Sequence, residues 1–480
     1  MMSIQLGDPP SDDNSCYDIS TNFFEKPPSV YTIERVFDTV VAPSTLLRKS
    51  DRRIEFSLPA SSFATDLSRM TVEFCLAIVD GDDNALPACS KPTAAQAAVA
   101  AVPANPAADP PVVAVPAKPA VAATPGFTGC AFEQFFSSCL IRNLDMRINN
   151  VSVSPLHNTY PYISYIASLM SYTAETRGSR LEAGGWVDEL DLKNTDFAGY
   201  DAYAKRLKFT ENNKYAFVTS SLFLPLCMQS RLLLPLCSIN LDMDLVSDEF
   251  ILRTGETNPS FKYQVIKASL NCRRVKLADN FQQKMEAQLV KTPAIYVTDV
   301  LNCKTNIIAR GNLSFQWSDC FGSFLPSYAI VGLIRQSNVS NYACSPFCFE
   351  PLGVSSIQFN LDGATVPSRS FELNYADGPT KQHMRAYQAI FRGATQWENV
   401  SSFIDYERFC SYFTLYVFEF GTEPSTHCRD TLPVKRLEPA QLSIDFSTDQ
   451  NDVIKVFLFT SSTEIIEITS QRTVLKNFVM

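Results

Sequence analysis

Apolar residues fall on every second position in many short runs of this chain, and a period of two admits strands and little else. Ser238-Ile-Asn-Leu-Asp-Met-Asp-Leu-Val246 alternates strictly, and similar runs cover Tyr31 to Phe37, Arg53 to Leu58, Thr71 to Val79, Tyr215 to Leu224 and Tyr263 to Val275. From Ala294 onward the pattern dominates again, most clearly at Tyr328 to Ile334, Ser355 to Leu361, Phe413 to Phe420, Gln441 to Phe446, Val453 to Phe459 and Ile465 to Ile468. The runs are rich in β-branched and aromatic residues, with 34 Phe and 18 Tyr in 480 residues, as strands prefer. Turn residues close them: Asp80-Gly81-Asp82-Asp83 after one, Asp362-Gly363 after another. The chain reads as all-β.

One segment breaks the period. Phe281, Met285 and Leu289 lie four apart on one helical face, Asp279 or Asn280 can cap the start, and Pro293 stops the end. It divides the chain into two β-rich blocks of comparable size, and many short strands in two blocks point to two sandwiches or barrels. The expected domains are an N-terminal arm at 1–30, a first β unit at 31–277, a helical linker at 278–291, and a second β unit with its tail at 292–480. Within the first unit, Lys91 to Pro125 holds 14 Ala and 8 Pro. Such a stretch can neither hold a helix nor build a core, so 86–125 reads as a flexible insertion at an exposed loop tip.

Charge and chemistry narrow the function. The net charge is −9, and the first 25 residues carry Asp8, Asp12, Asp13 and Asp18 without a Lys or Arg. A basic genome-binding arm is therefore excluded from the N-terminus, and no specific nucleic-acid binding is expected. No signal peptide opens the chain, and the most apolar stretch, Leu222 to Cys237, is too short and interrupted to span a bilayer, which predicts a product of the cytosol. Fourteen cysteines are scattered without paired spacing and read as small buried hydrophobes. Sequence patterns for a hydrolase nucleophile, a phosphate-binding loop, a dinucleotide fold or a zinc protease are absent, and only His157, His383 and His427 are available as bases. Cys344 and Cys348, with His427-Cys428, have metal-ligand residue types, but two adjacent ligands strain a tetrahedral site, so buried thiols are the simpler reading. Asp242 and Asp244 alternate with apolar residues as the wet face of a strand. The Leu-Pro-Leu-Cys repeats at 224–227 and 234–237 read as neighbouring sheet segments. Tyr162, Tyr165, Ile166 and Leu169 share one face of a helix opened by Pro161, so the aromatic run from Asn158 to Tyr172 reads as core. No catalytic, cofactor or metal-binding residue is expected.

Several stretches, in order, resemble the major capsid proteins of adintoviruses and of Maverick or Polinton elements. They are Asn149-Asn-Val-Ser leading into Asn158 to Tyr172, Ala268 to Lys276 with the following helix and Thr292 to Tyr296, Arg385 to Phe391, and Thr463 to Ile468. The resemblance spans most of 130–475, with weaker similarity over 45–80; the first 45 residues and the Ala/Pro insertion are not part of it. It implies two eight-stranded antiparallel jelly rolls side by side, a double jelly roll joined by the helical linker. It further implies a non-enzymatic subunit of trimeric capsomers in an icosahedral virion, partnered by neighbouring capsomers, a single jelly-roll penton protein and minor capsid proteins. Synthesis in the host cytoplasm and assembly in the nucleus would follow. A lectin-like or host-domesticated β-sandwich binding module is the alternative, and a sandwich hydrolase a third.

Overall fold

The fold is described from a computed structural model covering residues 32–48, 50–86, 129–154, 158–172, 174–189, 192–193, 201–210, 214–256, 259–322, 324–375, 383–393, 404–420 and 438–477. The arm at 1–30 and, apart from Leu86, the insertion at 86–125 lie outside these residues.

In the first half the strands are β1 (Ile33–Val41), β2 (Arg53–Leu58), β3 (Ala64–Val79), β4 (Ala131–Phe132), β5 (Ile141–Ile148), β6 (Val151–Ser152), β7 (Ala216–Ser221), β8 (Ile239–Leu245), β9 (Leu252–Arg253) and β10 (Lys262–Leu277). After the helix Asp279–Lys291 come β11 (Ala294–Ile308), β12 (Ser314–Ser318), β13 (Tyr328–Arg335), β14 (Val354–Leu361), β15 (Ala364–Glu372), β16 (Leu415–Glu419), β17 (Ala440–Phe446), β18 (Ile454–Ile468) and β19 (Val474–Asn477). The first half builds one sheet in the order β1-β10-β3-β7 and another in the order β2-β8-β5-β6. The second builds β11-β18-β13-β16 and β12-β17-β14-β15, with β19 added to β18. Setting aside the short β4–β9 pair and β19, the two orders are the same, strand for strand, and all pairings are antiparallel. Each half is a jelly roll.

The two rolls point the same way. β10 ends where β1 and β3 begin, and β11 begins opposite the end of β18, so the linker helix sits at one end of both rolls. The connections from β3 to β5, β6 to β7, β13 to β14 and β15 to β16 leave the opposite end. The tight turns lie at the linker end. Between β14 and β15, Asp362 (φ 39°) and Gly363 (φ 86°) both adopt the left-handed conformation that such a hairpin requires, and a glycine reaches it without steric cost.

Local departures from the sequence reading have simple causes. The linker helix is capped by the backbone of Ala278 with no side-chain acceptor; Asp279 lies in its first turn, where its charge favours the helix N-terminus. The runs read as two strands at 453–459 and 465–468 are one continuous strand, because the polar Thr460 to Thr463 between them stay in register with Asp299 to Asn302 of β11. The two Leu-Pro-Leu-Cys segments are not sheet neighbours. Pro225–Cys227 is a 3-10 turn and 234–237 is a loop, since proline supplies no donor to a ladder.

Candidate functional site

The contact between the rolls is built from the helix Tyr160–Ser171. Pro161 sits in its first turn, where a missing N–H costs nothing, and the helix is buried on nearly all sides. Tyr162 lies 4.2 Å from the ring of Phe457 and 5.3 Å from that of Phe347, and Tyr165 stacks on Phe347 at 4.3 Å. Aromatic side chains of the first roll thus sit on strand β18 and a loop of the second, and both rolls share one hydrophobic core. Polar contacts finish the seam. The Tyr296 hydroxyl accepts from the Leu234 amide (3.2 Å) and donates to the Leu232 carbonyl (3.1 Å). Arg472, in the turn between β18 and β19, donates to the Pro235 carbonyl at 2.8 Å and pairs with Glu286 of the linker helix; its own carbonyl accepts from Asn149 at 2.7 Å.

Beside the aromatic seam lies a fully buried charge cluster. Glu189 accepts from Arg206 Nη1 at 2.6 Å and from Arg253 Nη1 at 2.8 Å, and Glu133 lies 3.7 Å from Arg253 Nε. Burial works against ionisation of Glu189, yet the two guanidiniums hold it below the usual carboxylate value. For Glu133 burial outweighs Arg253 and Arg206, and its carboxyl is raised. No period or spacing in the sequence pointed to these four residues, because they come from four separate segments.

The outward faces of the equivalent sheets differ sharply. Residues directly opposite in a ladder share a face, so β11 and β18 present Cys303 with Phe459 and Thr305 with Phe457 toward the first roll. The face is covered along β18 and β13 and at Cys303: Phe457 meets Tyr162, and Phe349 lies against Gly332, where an added Cβ would sit 2.5 Å from the ring, while Thr305 and most of the edge strand β11 stay exposed on it. On the first roll the corresponding outer face carries Asp38 with Arg273, Val40 with Asn271, Ser269 with Glu73 and Cys75 with Phe217. Polar bonds tie it together, with Arg273 to Asp38 at 3.0 Å and Asn271 to Glu73 at 2.7 Å. It is open at its two edge strands, where Val40 is 67% and Phe217 72% exposed, while Ser269 and Cys75 between them are buried. The bare face is the candidate docking surface.

The residues singled out from sequence divide between these places. Cys344 and Cys348 are buried together at the seam. Asp242 lies on the outer side of β8, 3.4 Å from Arg53 and 3.6 Å from Arg147. His383 is buried with Nε2 against the Tyr406 hydroxyl and 3.3 Å from Cys410 Sγ, and burial lowers its pKa, so the ring is neutral at pH 7. His157, His427 and Cys428 lie outside the described residues. Among the described residues no group of three or more His, Cys, Asp or Glu is arranged to hold a metal, and no helix is long and apolar enough to cross a membrane.

No known family profile matches the sequence. An uncharacterized protein of Caenorhabditis elegans is 22% identical over 239 residues, which are 49% of this chain; the match spans 55% of that protein's length. Solved structures align over nearly the whole chain. A chain of the Sputnik virophage matches with a TM-score of 0.59 and 12% identity, covering 97% of this chain and 92% of that one. The Faustovirus major capsid protein gives 0.51 and 10%, covering 94% and 92%. The mavirus major capsid protein gives 0.50 and 10%, covering 98% and 97%. The chain therefore has the double jelly-roll fold, two antiparallel rolls side by side, that these viral capsid proteins share.

Proposed function

We propose that this chain is a major capsid protein that assembles through head-to-tail contacts into trimers, the capsomers of an icosahedral double-stranded DNA virus or integrated element of the adintovirus and Maverick–Polinton kind. Its domains in this reading are an arm at 1–30, rolls at 31–277 and 292–480, and the linker at 278–291. One observation carries the reading: on the second roll the first roll covers the outer face of β18 and β13, while on the first roll the corresponding face leaves Val40 and Phe217 exposed at its edges. Within the chain, the first roll covers the second roll's face. A second copy supplies a roll that can cover the bare face of the first, and three two-roll chains place six rolls in a closed ring. The polar character of the bare face fits a contact formed after folding, between chains that are stable and soluble before they meet. The acidic net charge supports weak, salt-sensitive DNA binding by the assembled form.

The relative in a nematode supports an element resident in animal genomes, where a host-domesticated copy would keep the fold and lose the docking surface. Light scattering of purified protein at micromolar concentration separates the readings. The capsid reading expects three times 53.4 kDa, about 160 kDa, with a melting temperature that rises with concentration. A persistent monomer with a concentration-independent melting temperature overturns it in favour of a monomeric binding module.

A further inference from the structure

A lysine of the first roll and an asparagine of the second meet on one buried carboxylate at the seam. That carboxylate, Glu350, follows the loop that Phe347 anchors among Tyr162, Tyr165 and Phe250. The Glu350 amide donates to the Leu333 carbonyl at 3.1 Å, which fixes it beside β13. Lys193 comes from the first half of the chain. Its neighbour Leu192 accepts from the Ser345 amide at 3.1 Å, so the two segments are pinned together. Asn338 lies in the short helix Gln336–Val339 that follows β13. Glu350 Oε1 accepts from Lys193 Nζ at 2.9 Å, from Asn338 Nδ2 at 3.1 Å and from Cys348 Sγ at 3.6 Å. Its Oε2 accepts from Arg335 Nε at 3.3 Å. Glu350 and Asn338 are 8% and 7% exposed.

These are the parts of an amide transfer. Asn338 brings an acyl carbon, Lys193 a primary amine, and Glu350 a carboxylate in contact with both nitrogens. An ion pair alone contributes little at a partly wet edge, and it calls for no buried carboxamide on the same oxygen. At rest the pair is ionised. Burial works to raise Glu350, but Lys193 and Arg335 outweigh it and hold the carboxyl below its ordinary value. Burial likewise works against the Lys193 ammonium, and the bond to Glu350 outweighs it. The proton that must leave Lys193 before it can attack therefore already lies on a hydrogen bond to its acceptor. Holding amine and carboxamide on one oxygen turns a bimolecular encounter into a small side-chain movement. The Lys193 stem has the rotatable bonds to bring Nζ to about 3–3.5 Å from the Asn338 acyl carbon.

We propose that Lys193 and Asn338 become joined by an isopeptide bond between the rolls, with Glu350 as the proton carrier. Glu350 takes a proton from the Lys193 ammonium, and the freed amine attacks Cγ of Asn338; a C–N bond forms. Glu350 hands that proton to Nδ2, the Cγ–Nδ2 bond breaks with its electron pair, and ammonia leaves. Glu350 then carries the surplus proton from the new amide nitrogen to the ammonia. An ammonium and a carboxamide become a secondary amide and an ammonium ion, so atoms and charge balance and nothing is oxidised or reduced. The bond ties the first roll covalently to the helix after β13. The inference does not depend on whether the chain forms a capsid.

The folded full-length protein is incubated, weighed intact, then reduced, alkylated and digested with trypsin. Without the bond, cleavage after Arg180, Lys193, Arg335 and Arg369 yields separate fragments 181–193 and 336–369. The expected result is an intact mass short by one ammonia. The digest should hold 181–205, uncut at Lys193, joined to 336–369, with fragmentation placing the link between Lys193 and Asn338. Lys193→Arg keeps a cation for Glu350 and should abolish the joined fragment. Asn338→Asp should yield the same joined fragment as wild type, because water leaves in place of ammonia. Glu350→Gln should slow its formation by about a hundredfold or more. Separate fragments from the wild-type protein after prolonged incubation overturn the proposal, as does a link placed at other residues. Bond formation at the wild-type rate in Glu350→Gln overturns the role of Glu350. If a variant fails to fold, the wild-type digest alone decides.

Discussion

Glu189 shows how much one buried side chain can carry in this molecule. It accepts from two guanidiniums, and both lose their shared partner when it is neutralised. Glu189→Gln should cost about 3–5 kcal/mol at neutral pH, measured by urea unfolding, because it leaves buried positive charge unpaired. The pH dependence follows from the direction of the shift. The carboxyl is held below its ordinary value of 4.5, so its contribution is present above that pH and is lost as the pH falls through the lower folded value. The stability difference between wild type and Glu189→Gln should therefore be full at pH 7 and shrink steadily below pH 4.5. Gly332 makes a second test at this scale. A methyl group there meets the Phe349 ring at 2.5 Å, in a strand packed on both sides, so Gly332→Ala should destabilise by about 1–3 kcal/mol. Neither residue announced itself in the sequence: a charged residue looks the same whether it ends in water or beside two arginines, and the demand for a glycine comes from a ring 17 positions away.

The linker helix was legible because its apolar residues fall four apart and a proline follows it; its cap was not. Ala278 takes the extended backbone of a capping residue but offers no oxygen to the first-turn amides. Ala278→Ser should supply one and raise stability by about 0.5–1 kcal/mol in thermal or denaturant unfolding. The helix Met384–Gly393 was seen only as a landmark, since Ala386 and Ile390 are buried while Met384, Arg385 and Gln388 face out, too short a pattern beside so many strands. Strand β18 was read as two pieces for a related reason. Four polar residues end a hydrophobic run, but the ladder to β11 continues through them because backbone amides and carbonyls pair whatever the side chains are.

At the scale of the whole molecule, the bare sheet face should decide assembly. Val40 and Phe217 are exposed there and take no part in the core, so Val40→Asp with Phe217→Asp adds like charge beside Asp38 and Glu73 without opening a cavity. The expected outcome is a shift from about 160 kDa toward the 53.4 kDa chain in light scattering, with unchanged circular dichroism. A double variant that still forms trimers would exclude this face from the contact.

What the sequence by itself determined was local. The period of two, the turn residues at Asp362-Gly363 and the four-residue spacing of 281, 285 and 289 are properties of neighbouring residues, so the strands, that hairpin and the linker helix could be read from them. The aromatic run at 158–172 was read as core for the same reason, although not as the core of a seam between two rolls. The tertiary structure decided everything that joins distant segments: which parts of the equivalent sheet faces are covered, which four charges meet in the dry interior, and that the loop of Cys344 and Cys348 enters the contact between the rolls. Those outcomes depend on which surfaces remain once each roll has closed, and no window of sequence contains that information.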